Sequence, residues 1–146
     1  MCGQQNQKRS GTENVSGILG TELALTKAVN NLKQNFENVL LLRNYLKNAI
    51  INSNLKDYKI NENTENSPYV FSISFKGLRG EVIQHTLEKY DILIGTGSAC
   101  SSKKSNNRTL QNMGIQKQYI EGSIRISFSN ETTLDEVKFA DRKSVV

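Results

Sequence analysis

Apolar residues recur along this chain first at helical and then at strand spacing. Leu25, Val29, Leu32, Phe36, Val39, Leu42, Leu46 and Ile50 follow one another at intervals of three and four. That spacing gathers them on one face and predicts a long amphipathic helix from about Ile18 to Ser53. Gly17 and Gly20 weaken its start, so a kink or a second short helix is expected there. Residues 53–68 are polar, rich in Asn, Glu and Lys, and close on Pro68, the only proline, which reads as a surface loop. Tyr69, Phe71, Ile73 and Phe75 then alternate with Val70, Ser72 and Ser74, the period of a strand with one strongly apolar face.

Gly77-Leu78-Arg79-Gly80 turns the chain into a helix of about ten residues whose buried stripe is Val82, Ile83 and Leu87. Asp91 and the run Ile92-Leu93-Ile94 predict a short buried strand stopped by Gly95 and Gly97. A Ser/Gly/Lys/Asn-rich loop follows from 95 to 107, and a short helix around Thr109–Met113 ends at Gly114. Ile124, Ile126 and Phe128 alternate with Ser123, Arg125, Ser127 and Ser129 as another strand. Thr133-Leu134-Asp135-Glu136 has the spacing of a capping box, which opens a last helix. The order predicts an α+β fold: a long N-terminal helix, an antiparallel or mixed sheet, and helices on one sheet face.

Composition narrows the function classes. The chain's 146 residues suffice for one ordinary domain, and its periodic apolar clusters exclude disorder throughout despite a hydrophobic content of 36%. Uninterrupted apolar runs such as Val39–Leu42 are far too short to span a bilayer. No basic-then-apolar signal segment follows Met1, so the cytoplasm is the expected compartment. The net charge of +5 comes from 19 cationic residues scattered among 14 acidic ones, with no arginine-rich arm, and nucleic acid is not an expected partner. Two cysteines, Cys2 and Cys100, make neither a disulfide framework nor a zinc site, and no metal is expected.

Three segments could carry chemistry. Cys100 lies in Gly97-Ser98-Ala99-Cys100-Ser101-Ser102, followed by Lys103, Lys104 and Arg108, cations that favour a reactive thiolate. A small residue in a strand-end turn is the bland alternative. Arg125 alternates out of phase with the apolar residues of its strand and shares a face with Ser123, Ser127 and Ser129. That polar surface suits a small anion held bidentately, or simply a solvated arginine. Arg9-Ser10-Gly11-Thr12-Glu13-Asn14 could take a phosphate on its backbone N–H groups and hydroxyls, or could only cap a helix. His85, inside its helix, has no evident acidic or cysteine neighbour and reads as a surface or packing histidine.

Together these segments are far more specific than any one alone. Arg9 to Val15 with Gly17-Ile18, Gly97 to Ser102, and Gly122 to Phe128 with Thr132-Thr133 and Glu136-Val137 resemble, in order and separation, the C-terminal part of cysteine desulfurases of the NifS/IscS type, in the class-V aminotransferase family. The resemblance runs from about Gly3 to Val137. It implies the small C-terminal domain of the aspartate-aminotransferase-type fold (fold type I), spanning residues 18–146 with a cysteine loop at 95–107, and a tail of the large cofactor domain in residues 1–17. It implies that Cys100 takes sulfur from L-cysteine as a persulfide, leaving L-alanine, and that Arg125 clamps the substrate carboxylate. Thr12 would reach the phosphate of pyridoxal 5'-phosphate in the second subunit of a homodimer. That cofactor supplies the electron sink for the chemistry. A sulfur-acceptor protein, such as an iron–sulfur scaffold or a tRNA-thiolation relay, is the implied partner.

The chain also departs from that pattern. The lysine, histidine and aspartate of the cofactor domain are expected to be absent, so the isolated chain should be inactive and should not carry the cofactor. Cys2 stands where a glycine is usual, and Lys103-Lys104-Ser105-Asn106-Asn107-Arg108 is shorter and more basic than the corresponding loop. The last helix is expected to be cut short near Val146. A catalytically inactive remnant, kept as a sulfur-relay or interaction module, is the alternative.

Overall fold

The computed structural model describes residues 11–63, 66–96 and 107–144. Two units divide the chain, Met1–Asn35 and Phe36–Val146. In the first, helix α1 covers Val15–Asn30 and starts at Asn14, whose side chain accepts a hydrogen bond from the Gly17 N–H at 3.0 Å. The predicted weak point near Gly17 and Gly20 is continuous helix; the break comes at Asn31 instead. There the Asn31 Nδ2 donates to the Lys27 carbonyl at 3.0 Å. The same carbonyl also accepts from the Asn31 backbone N–H at 3.2 Å. An asparagine side chain that competes for a helix carbonyl offers the backbone an alternative to continuing the helix. Helix α2 then covers Leu32–Asn52.

The predicted single apolar face is accordingly split. Val39, Leu42, Leu46 and Ile50 of α2 are buried, whereas Leu25, Val29, Leu32 and Phe36 are exposed.

The second unit is built on a four-stranded sheet of β1 (Tyr58–Ile60), β2 (Val70–Phe75), β3 (Gly95–Thr96) and β4 (Ser123–Ser127), in the order β1-β2-β4-β3. All three pairings are antiparallel. Period-two alternation sorts β2 and β4 as expected: Phe71, Ile73 and Ile124 enter the core, and Ser72, Ser123 and Arg125 share the opposite face. Helix α3 (Gly80–Glu88) contributes Leu87 to that core and α6 (Leu134–Ser144) contributes Val137, beside the four α2 residues. Gly122 leads into β4 where a Cβ would stand 2.0 Å from the Phe75 carbonyl oxygen, so only glycine admits the backbone there. Its own carbonyl accepts from the Phe75 N–H at 3.1 Å.

Three expectations are corrected. β1 lies inside the segment expected to be loop, entered through Asp57 at φ 56°. Residues 92–94 are not a strand: Ile94 is buried but Leu93 is exposed, and pairing starts only at Gly95. Helices cover both sheet faces rather than one. Short helices α4 (Arg108–Asn112) and α5 (Lys117–Ile120) form a second apolar cluster of Leu110, Ile115 and Ile120, and α4 stands over the polar face.

Candidate functional site

The polar face of the sheet is the floor of the site. Register places Ser72 on one side of Arg125 and Gly95 on the other, a row across β2, β4 and β3. Beside this row Asn61, just past β1, donates through Nδ2 to Ser74 Oγ at 2.7 Å and to Ser72 Oγ at 3.1 Å. Asn61, Ser74 and Ser123 are buried, so these hydrogen bonds are what makes a polar layer tolerable under the helix above. The Asn61 Oδ1 has no partner among the described residues.

Helix α4 supplies the wall. Asn107 caps it, accepting from the Leu110 N–H at 3.2 Å, and Leu110 anchors it in the second apolar cluster. Between floor and wall lies an open cavity of about 330 Å³ lined by Asn61, Ser72, Asn107, Thr109, Leu110, Met113, Ser123 and Arg125. Among the described residues, Arg125 is the only charged group in that lining. Among the described residues its guanidinium has neither a hydrogen bond nor an ion pair. A planar fork of unused donors, surrounded by hydroxyls and carboxamides, can take a carboxylate through two parallel hydrogen bonds.

A second cavity of about 210 Å³ shares Asn61 and Met113 with the first and is bordered by Glu62 and Lys59. Glu62 binds Arg43 at 2.5 Å and also pairs with Lys47, both on α2. Burial pushes the Glu62 carboxyl up, but the hydrogen bonds and charges of Lys47 and Arg43 outweigh it and leave it below the ordinary range. This cluster ties α2 to the sheet.

The predicted residues fare differently. Arg125 sits in the cavity, on the polar face assigned to it by alternation. Thr12 belongs to the first unit, in the exposed segment that enters α1. Cys100, Lys103 and Lys104 lie outside the described residues, as do Cys2 and Arg9. His85 does have an acidic partner: its Nδ1 stands 2.9 Å from Glu88 Oε2, one helical turn on. That hydrogen bond, with a further one from Gln84, holds the Glu88 carboxyl below its usual range. His85 is exposed and Glu88 half-buried, and neither lines the cavity. Sequence patterning passed over Asn61, Thr109, Asn107 and Gly95. Only Asn107 carried a local signal, a capping residue before the apolar Leu110.

The chain matches the family model for class-V aminotransferases over residues 2–139. It is 33% identical over 132 residues to a cysteine desulfurase of Nostoc sp., which covers 89% of this chain and 33% of that protein. With the cysteine desulfurase IscS of Buchnera aphidicola the identity is 31% over 139 residues, covering 94% and 33%. A solved NifS-like protein superposes with a TM-score of 0.80 at 31% identity, over 99% of this chain and 36% of that one. A NifS-like protein from Rickettsia africae gives a TM-score of 0.78 at 25% identity, over 97% and 36%. The chain thus spans about a third of the length of the curated relatives it matches.

Proposed function

The chain belongs to the class-V aminotransferase family, and we propose that it is the C-terminal part of a cysteine desulfurase of the NifS/IscS type. In this reading residues 18–146 are the small domain of a fold-type-I enzyme and residues 1–17 the tail of its large domain. Arg125 binds the α-carboxylate of L-cysteine, Cys100 takes the sulfur as a persulfide with L-alanine left behind, and Thr12 reaches a cofactor phosphate across a homodimer. A sulfur-accepting protein, of the kind that assembles iron–sulfur clusters or thiolates tRNA, then receives the sulfur, in the cytoplasm.

One observation carries the reading. Gly95-Thr96 pairs with β4 beside Arg125, Asn107 lines the same cavity as Arg125, and Cys100 falls between Thr96 and Asn107 in sequence. This supports reading Cys100 and Arg125 as parts of one site, the arrangement that removal of sulfur from a small amino acid requires.

The implied cofactor is pyridoxal 5'-phosphate. Among the described residues, the lining around Arg125 offers no lysine for its aldehyde and no carboxylate for its ring nitrogen. These residues fit the substrate's carboxylate and not the cofactor ring.

The test joins this chain, in one polypeptide or as a complex, to the segment carrying the cofactor lysine. L-cysteine should then place one extra sulfur on Cys100, read by mass spectrometry, and Cys100→Ser should abolish both that adduct and sulfide release. Sulfide release at an unaltered rate from Cys100→Ser would leave family ancestry without the sulfur chemistry. A complex that forms but never loads Cys100 would favour an inactive remnant used as an interaction module.

A further inference from the structure

Gly95 stands directly across from Arg125 in the β3–β4 pairing, on the edge strand of the sheet. Paired residues in an antiparallel ladder project to the same face, so a side chain at position 95 would rise beside the arginine. A methyl group on Gly95 would stand 3.5 Å from Nη2 and 3.6 Å from Nε of Arg125. The guanidinium therefore lies against the bare edge strand, at the distance where a single methyl just makes contact. Among the described residues nothing else fixes it, since no hydrogen bond or ion pair reaches it.

We propose that Gly95 is a positioning residue for Arg125: its missing side chain is the shelf on which the guanidinium rests while it faces the carboxylate of an amino-acid ligand. This rests on the reading of Arg125 as the carboxylate-binding group and adds what sets its place. The argument is steric. Alanine at 95 adds a methyl at ordinary contact distance and leaves the guanidinium where it is. Valine adds two methyls one C–C bond, about 1.5 Å, beyond a Cβ already in contact with Nη2 and Nε, and so crowds the guanidinium. Arg125 is then pushed off the strand, and its fork meets the cavity between Ser72 and Thr109 at a different angle. A glycine within a strand commonly marks such a close approach.

Nuclear magnetic resonance of the full chain, labelled on arginine, tests this. The Arg125 Nε–Hε signal is identified by its loss in Arg125→Lys, and the probe is L-alanine. A cross-relaxation peak between Arg125 Hε and Gly95 Hα is expected in the unaltered protein, a readout that needs no variant to fold. Gly95→Val should move the Arg125 signal before any ligand is added. It should also weaken L-alanine binding by about fivefold or more, while Gly95→Ala stays within about twofold. An absent Hε–Hα peak, or a Gly95→Val protein with an unmoved Arg125 signal, overturns the proposal. If Gly95→Val moves the signal but the unaltered protein shows no saturable response to L-alanine, the shelf stands and the carboxylate role of Arg125 falls.

Discussion

Glu62, two residues past the end of β1, reaches back to Arg43 on α2, with 2.5 Å between Oε2 and Nη2. Arg43 is buried, lies over the Phe71 ring at 5.7 Å from its centroid, and has an Nε without a partner among the described residues. Glu62 is therefore the counter-charge that makes a buried guanidinium tolerable at the helix–sheet junction. Glu62→Gln should destabilise the chain by about 1–2 kcal/mol at neutral pH, as read by urea unfolding. Because the Glu62 carboxyl ionises more readily in the folded state, its contribution is full above the ordinary carboxylate range and is lost as pH falls through the folded-state value. The gap between the two proteins should close in acid. A gap that persists unchanged below that range would mean the carboxylate charge is not what Arg43 needs.

Thr133 and Glu136 form a reciprocal cap at the start of α6. The Thr133 N–H donates to Glu136 Oε2 at 2.7 Å, and the Glu136 N–H donates to Thr133 Oγ1 at 3.3 Å. Thr133→Ala should cost about 1 kcal/mol and loosen α6, measured by thermal unfolding and by hydrogen exchange at Val137. The Thr133 backbone N–H, then its hydroxyl, hold the Glu136 carboxyl below its usual range. Protonating Glu136 in acid should accordingly release the same end of the helix. Equal exchange at Val137 in both proteins would show that core burial alone holds α6.

Phe71, fully buried in β2, packs in the cluster that joins α2, α3 and α6 to the sheet. Phe71→Ala should cost about 3–5 kcal/mol, since it opens a cavity and also removes the ring under Arg43. Phe71→Leu should keep most of the stability and lose chiefly the stacking. A loss for Phe71→Leu as large as for Phe71→Ala, in denaturant titration, would make the arginine–ring contact the main effect.

Arg125→Ala, placed in a complete enzyme, should raise KM for L-cysteine far more than it lowers expression or melting temperature. Truncating a charge that pairs with a bound carboxylate costs about 2–5 kcal/mol, much of it the unpaired partner left behind. The arginine is exposed and unpaired among the described residues, so stability has little to lose. An unchanged KM would return Arg125 to an ordinary solvated residue.

Cys100 is followed in sequence by Lys103, Lys104 and Arg108. Such neighbours favour the thiolate, so alkylation of Cys100 at neutral pH should outpace that of Cys2, the internal reference thiol. Mass spectrometry of peptides after a brief exposure to iodoacetamide separates the two. Equal rates, or a slower Cys100, would remove the argument for an activated nucleophile.

What the sequence determined by itself was local. Ser72 and Arg125 fall on the polar faces of β2 and β4 because alternation in a strand has a period of two. The α6 cap follows from a hydroxyl and a carboxylate three residues apart. Long-range geometry decided the rest. The run Ile92–Ile94 has strand composition, yet the ladder starts at Gly95, because β3 is placed by its pairing with β4 and not by its own propensity. β1 forms inside a polar stretch because Tyr58–Ile60 finds Ile73–Phe75 to pair with. The cavity, finally, is assembled from separate stretches of the sequence, around residues 61, 72, 107–113 and 123–125. Asn61, Ser72, Asn107 and Arg125 meet only once the register is set and Leu110 has anchored α4 over the sheet. No local pattern encodes that meeting, because the free energy that enforces it comes from burying side chains contributed by distant segments.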